Sequence, residues 1–165
     1  MGIVPKILNR ILPTVTVVLL VLTMWSVLWC GVKGEADPIH LIPTPQHVTR
    51  MPGHFEISES TPIIAVSEAN EAILLLNRMF RTAAGFELNF KHNGTNPLIE
   101  FVRDNAIPNG EAYTLSISSD RITIGALDRA GYFYAVQTLI QLMPDEIVGK
   151  DRAKNVSWKV PCVVI

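Results

Sequence analysis

Tyr113, Leu115 and Ile117 alternate with Thr114, Ser116 and Ser118, the two-residue period of a strand that buries one face. Ser119-Asp120 supplies a short polar turn. Ile122 and Ile124 resume the alternation and Ala126 closes it, so the pattern predicts a β-hairpin. The period then lengthens. Phe133, Val136 and Ile140 fall on one helical stripe, broadened by Leu139 and Met143. Asp128 is placed to cap this helix by accepting backbone N–H groups that the first turn leaves unpaired, and Pro144 ends it. Upstream, Leu41-Ile42 and Phe55-Glu56-Ile57 read as short strands separated by prolines and Gly53, and Pro62–Val66 as a more apolar strand. Ser67 is placed to cap a second helix running through Ala84, with Glu68 and Glu71 in the turn where the helix dipole favours negative charge. Ala72, Leu76, Met79, Phe80 and Ala83 form its core stripe, and Gly85 stops it. Glu87–Phe90 and Leu98–Val102 add two further strands, the latter entered after Gly94-Thr95-Asn96-Pro97. About six to seven short strands with two helices predict an α+β, two-layer domain: one mixed β-sheet with both helices packed on one face.

The first 36 residues follow another pattern. Lys6 and Arg10 precede an apolar run from Ile11 to Val32, and no charge intervenes until Lys33. That order of charge and apolarity is the mark of a targeting segment. At 22 residues the run is long for a signal core and long enough to cross a bilayer. Three readings stay open: a signal peptide cleaved after Gly34 or Ala36, an uncleaved membrane anchor with its positive end inside, and lipidation at Cys30. Trp29 stands where a lipoprotein signal wants a small residue. All three place residues 37–165 outside the cytoplasm, whether periplasmic, secreted or on the cell surface. The membrane is then met only through the N-terminal segment.

Charge and chemistry narrow the classes. Residues 37–165 hold 11 basic and 14 acidic side chains, a balance with no basic patch or aromatic interleaving for a nucleic-acid partner. Cys162 lies in an apolar strand pattern with no partner thiol left after cleavage, and reads as a small buried hydrophobe. His40, His47 and His54 recur every seven residues, but Pro43, Pro45 and Pro52 break any helix that would align them, and the spacing fits no zinc pattern. Neither helix holds His-Glu-x-x-His, and the chain has neither a glycine-rich phosphate loop nor a serine nucleophile elbow. No metal and no cofactor is expected. Asn93-Gly-Thr95 and Asn155-Val-Ser157 match the glycosylation triplet.

A resemblance adds what these patterns do not contain. Gly131-Tyr-Phe-Tyr-Ala-Val-Gln-Thr-Leu-Ile-Gln-Leu-Met-Pro144 resembles the second-helix signature of the N-terminal, non-catalytic domain of family 20 glycoside hydrolases, the β-N-acetylhexosaminidases. Ile42-Pro43-Thr44-Pro45-Gln46 resembles that domain's opening strand, Glu111–Leu115 the first strand of its hairpin, and Trp158-Lys159-Val160-Pro161 its exit strand. Ala112 and Ala135 stand where relatives often carry glycine. Similar accessory domains occur in hyaluronidase-like β-N-acetylglucosaminidases and in α-glucuronidases. The resemblance implies a glycosidase that removes terminal N-acetylglucosamine or N-acetylgalactosamine with retention. The substrate's own N-acetyl carbonyl attacks the anomeric carbon; an Asp orients the acetamido group, and an adjacent Glu protonates the leaving oxygen and then activates water. Those two residues belong to a (β/α)8 barrel normally supplied by the same polypeptide, through which the glycan substrate would be met. The adjacent Asp145-Glu146 follows Pro144 in what reads as a polar loop, and Glu56 and Glu59 as surface groups at a strand end. None is assigned a catalytic role, no substrate contact is assigned to any residue, and the chain is expected to be inactive because it stops short of the barrel. Two alternatives remain: a free-standing extracytoplasmic carbohydrate-binding or adaptor module, and a membrane-anchored structural protein. The first requires exposed aromatic rings, whereas Trp158, Tyr113, Tyr132 and Tyr134 lie in segments that read as core or barrel-facing.

Overall fold

The computed structural model describes residues 39–165; the N-terminal run expected to be a targeting segment, with Cys30, Lys33 and Glu35, lies outside the described residues. Seven strands form one mixed sheet: β1 (Thr49–Glu56), β2 (Pro62–Ala65), β3 (Asn89–Phe90), β4 (Leu98–Arg103), β5 (Tyr113–Ile117), β6 (Arg121–Ala126) and β7 (Lys159–Val164). Their order is β1-β7-β5-β6-β4-β2-β3. β2 pairs in parallel with β3 and β4, and β4 with β6, while β5 and β1 run antiparallel to their neighbours. Helices α1 (Asn70–Ala83) and α2 (Arg129–Gln141) pack beside one another against this sheet. The α+β two-layer fold expected from the periodicity is the fold observed.

Register explains which side chains reach the core. Leu115 pairs with Ile124 and Ile117 with Ile122, while Phe101 lies opposite Ile124 on the other flank. All are buried beneath the helices with Ile63, Ile99, Phe55 and Val160. Each such side chain contributes roughly 1.5–3 kcal/mol of transfer free energy. From α1 come Ile73, Leu76 and Phe80, and Phe80 stacks on Phe86 and meets Trp158 edge-on. Asn77 is buried with them because its amide is bonded both ways, donating to the Leu88 carbonyl and accepting from the Leu88 N–H.

Four local expectations are corrected. Leu41-Ile42 is not a strand: Leu41 is buried, but the Ile42 backbone pairs with the Gln141 side chain instead of with the sheet. Ser67 does not cap α1. It opens a 3-10 turn, Ser67–Ala69, and its hydroxyl turns to Glu68, so α1 starts at Asn70 with no side-chain cap. The third strand shrinks from Glu87–Phe90 to Asn89–Phe90, since Leu88 is drawn into the core by Asn77. The α2 stripe holds at Val136, Leu139, Ile140 and Met143, all buried, but not at Phe133, which is 42% exposed; Tyr132 and Ala135 take the core side of the first turns instead. Apolar residues crowd α2 on more than one side there, so periodicity alone did not fix the buried face at its start. Asp128, by contrast, caps α2 as expected: its Oδ1 accepts from the Arg129 N–H at 2.7 Å.

The first strand is longer than its sequence suggested because it tolerates an interruption. Arg50 faces Val163 and His54 faces Pro161, which leaves Met51, Pro52 and Gly53 bulged against Cys162. Gly53 sits at φ +97 there, and Pro52 is admissible because β1 is a sheet edge.

Candidate functional site

The residues with chemical potential in the sequence are not brought together. His40, His47 and His54 are all exposed, and no group of three metal-ligating side chains occurs among the described residues. Asp145 and Glu146 lie exposed in a 3-10 turn, Asp145–Val148, pinned by buried Ile147 rather than in an open loop. Glu56 accepts a hydrogen bond from the Ser157 hydroxyl, and Glu59 is exposed in the following turn. Burial pushes the Cys162 thiol up, which keeps it protonated and a poor nucleophile. Glu68 is held below the usual carboxylate range by a backbone hydrogen bond first, then by the Ser67 hydroxyl and Arg103. A glycosidase acid needs the opposite shift, upward, to deliver a proton near neutral pH.

The helix layer supplies a surface instead. Its inner side is fixed to the sheet at short range. The Tyr132 hydroxyl lies 2.8 Å from the Val102 carbonyl oxygen and 3.1 Å from that of Ala126, so one phenol ties the ends of β4 and β6. Burial, chiefly, raises the pKa of that hydroxyl. Gly131 comes so close to the 110–112 loop that a Cβ there would lie 2.5 Å from the Ala112 carbonyl oxygen. Its N–H donates to the Gly110 carbonyl at 2.9 Å. Tyr113 and Thr138 share a hydroxyl–hydroxyl bond of 2.6 Å. Held this way, α2 turns Phe133 and Tyr134 outward, with ring centroids 5.8 Å apart and planes 72° apart. On α1, Leu74 is 63% exposed. Between the two helices Glu71 and Arg129 face each other at 3.7 Å. Sequence reasoning assigned Phe133 to the core and gave Leu74 no role.

A concavity of about 550 Å³ opens where the parallel strands end, between the Pro43–His47 segment, the 104–112 loop and the start of β5. Three of its polar groups are committed: Asp104 accepts from the Ala106 N–H, Asn109 accepts from the N–H groups of Glu111 and Ala112, and the Tyr113 hydroxyl is bonded to Thr138.

Comparison with known proteins places this arrangement. The family model described as "Glycosyl hydrolase family 20, domain 2" matches residues 38–165. A β-hexosaminidase of Vibrio vulnificus is 29% identical over 125 residues, which is 75% of this chain and 14% of that protein. One from Porphyromonas gingivalis is 29% identical over 113 residues, again 14% of its length. Among solved structures, the Streptomyces plicatus N-acetyl-β-hexosaminidase superposes with a TM-score of 0.64 at 27% identity, covering 73% of this chain and 24% of that one. A GH20 exo-β-N-acetylglucosaminidase of Vibrio harveyi, solved with N-acetylglucosamine, gives 0.62 at 25% identity, covering 74% and 18%.

Proposed function

The chain belongs to glycosyl hydrolase family 20, domain 2, over residues 38–165, and from that premise we propose that it is the accessory domain of an exo-acting β-N-acetylhexosaminidase, serving a catalytic barrel in the same polypeptide. The extent of the match carries this reading. It takes in every described residue, yet the Vibrio vulnificus hexosaminidase is matched over only 14% of its length. What is shared is the accessory part, and the catalytic part lies in the remainder. The barrel would remove terminal N-acetylglucosamine or N-acetylgalactosamine from glycans by substrate-assisted, retaining hydrolysis. This domain contributes neither acid nor nucleophile. Its Glu68 stays ionised and its Asp145-Glu146 pair faces solvent.

The role left to the domain is to seat and stiffen the barrel, and the helix layer is the surface for it. Leu74, Phe133 and Tyr134 are large apolar side chains exposed on the two helices, and apolar residues gathered on one layer mark an interaction surface. The N-terminal apolar segment is consistent with delivery of the domain outside the cytoplasm; the intact mass of the exported protein reports whether that segment is cleaved.

The function is tested with chitobiose and a chromogenic N-acetyl-β-glucosaminide. The chain alone should hydrolyse neither. Fused in place of the matching domain of the Vibrio vulnificus relative, it should restore activity and raise the melting temperature above that of the bare barrel. Hydrolysis by the chain alone, or a fusion no more stable than the bare barrel, rejects the accessory role. A second reading, a carbohydrate-binding module, is favoured by one observation, the exposed Phe133–Tyr134 pair. The crossed ring planes make a poor platform for successive sugars. Binding of the isolated chain to chitooligosaccharides, lost in Phe133→Ala, would establish this reading over the first.

A further inference from the structure

Two Asn-Gly pairs occur in the chain, Asn93-Gly94 and Asn109-Gly110, and the fold treats them in opposite ways. Asparagine is among the thermolabile side chains, and glycine after it is the most permissive neighbour for the reaction because no Cβ hinders the approach of its nitrogen. Asn109 is clamped. Its Oδ1 accepts from Glu111 N–H at 3.0 Å and from Ala112 N–H at 2.9 Å, and the Gly110 carbonyl accepts from Gly131 N–H at 2.9 Å. To react, this side chain must give up both bonds and turn back onto Gly110. Asn93, Gly94 and Thr95 are exposed and make no hydrogen bond at all. The loop is tied down only at its margins, by Lys91 N–H to the Ile63 carbonyl and by Asn96 to Asp120 and Arg121.

We propose that Asn93 is a site of spontaneous succinimide formation and deamidation, and that the fold protects Asn109 from the same chemistry. The Gly94 nitrogen attacks the Asn93 side-chain carbonyl carbon. A C–N bond forms, the carbon–NH2 bond breaks, and ammonia leaves with the proton given up by the Gly94 nitrogen. Water then opens the cyclic imide at either carbonyl, leaving an aspartyl or isoaspartyl residue. An amide becomes a carboxylate, so the loop gains a negative charge beside Lys91 and loses its glycosylation triplet.

The purified chain is incubated at mildly alkaline pH, native and in urea, and peptide-mapped by mass over time. In the native chain Asn93 converts first. Asn109 lags by roughly tenfold or more, since two hydrogen bonds must open before it can react. In urea the two sites converge. Gly94→Ala slows conversion at Asn93 without unfolding, because its new Cβ meets only side-chain tips, the nearest 3.3 Å away. Equal native rates at the two sites, or faster conversion at Asn109, overturns the proposal. So does an Asn93 that stays intact in the native chain while it converts in urea.

Discussion

At the scale of single residues, neighbours in sequence have opposite duties. Tyr132 is fully buried and its hydroxyl serves two strand-end carbonyls, whereas Phe133 beside it is partly exposed to water. Tyr132→Phe leaves the Val102 and Ala126 carbonyls without that donor and should lower unfolding free energy by about 1–3 kcal/mol, read from the urea midpoint. Phe133→Ser should leave the midpoint within about 0.5 kcal/mol, as for an ordinary surface change. Tyr132 also sets a pH dependence. Its phenol pKa is raised in the fold, so the folded chain holds that proton more tightly than the unfolded chain. Stability from this group is complete below the usual phenol range and is lost as pH rises from there through the raised folded value. A urea midpoint that falls equally in the wild type and in Tyr132→Phe between neutral and strongly alkaline pH would refute that assignment.

At the scale of elements, the hairpin and the Asp128 cap were legible because each rests on contacts a few residues apart. Alternation from Tyr113 to Ala126 sets β5 and β6 whatever surrounds them. Asp128→Ala should therefore cost about 1 kcal/mol, the usual worth of such a cap, in a thermal or urea melt. Gly131→Ala should cost more, about 1–3 kcal/mol for forced overpacking, because the added carbon meets the Ala112 backbone rather than a movable side chain. If the two variants melt together, the close approach of α2 to the 110–112 loop is not tight. What sequence reasoning missed depends on distant partners. Leu41-Ile42 looked like a strand until Gln141, 99 positions away, took up the Ile42 backbone. The outward side of α2 became visible only once Tyr132 was seen to reach Val102, 30 positions upstream.

At the scale of the whole molecule, the fold class followed from counting elements, and the family from short motifs spread across residues 42–161. The surface by which the domain would act followed from neither. Phe133 and Tyr134 stand in a segment that reads as core in sequence, Leu74 lies off the predicted stripe of its helix, and only burial distinguishes the three from Ile73, Tyr132 and Ala135 next to them. An isolated chain with these three side chains exposed should self-associate at high concentration. The paired change Phe133→Ser with Tyr134→Ser should shift it toward monomer in sedimentation velocity, without moving the urea midpoint. A double variant that associates as strongly as the wild type would place the sticky surface elsewhere.

The reciprocal pair between Gln141 and Ile42 has a consequence in time. Gln141 meets the Ile42 N–H at 2.9 Å and its carbonyl at 3.0 Å, both at the surface, so two exposed bonds and the buried Leu41 side chain hold the start of the domain to the end of α2. Such an attachment opens without disturbing the sheet. The Ile42 amide thus exchanges its hydrogen on the schedule of a local fraying, while Leu115 and Ile124 wait for global unfolding. A protease meeting the native domain finds its first foothold in the 39–48 strap.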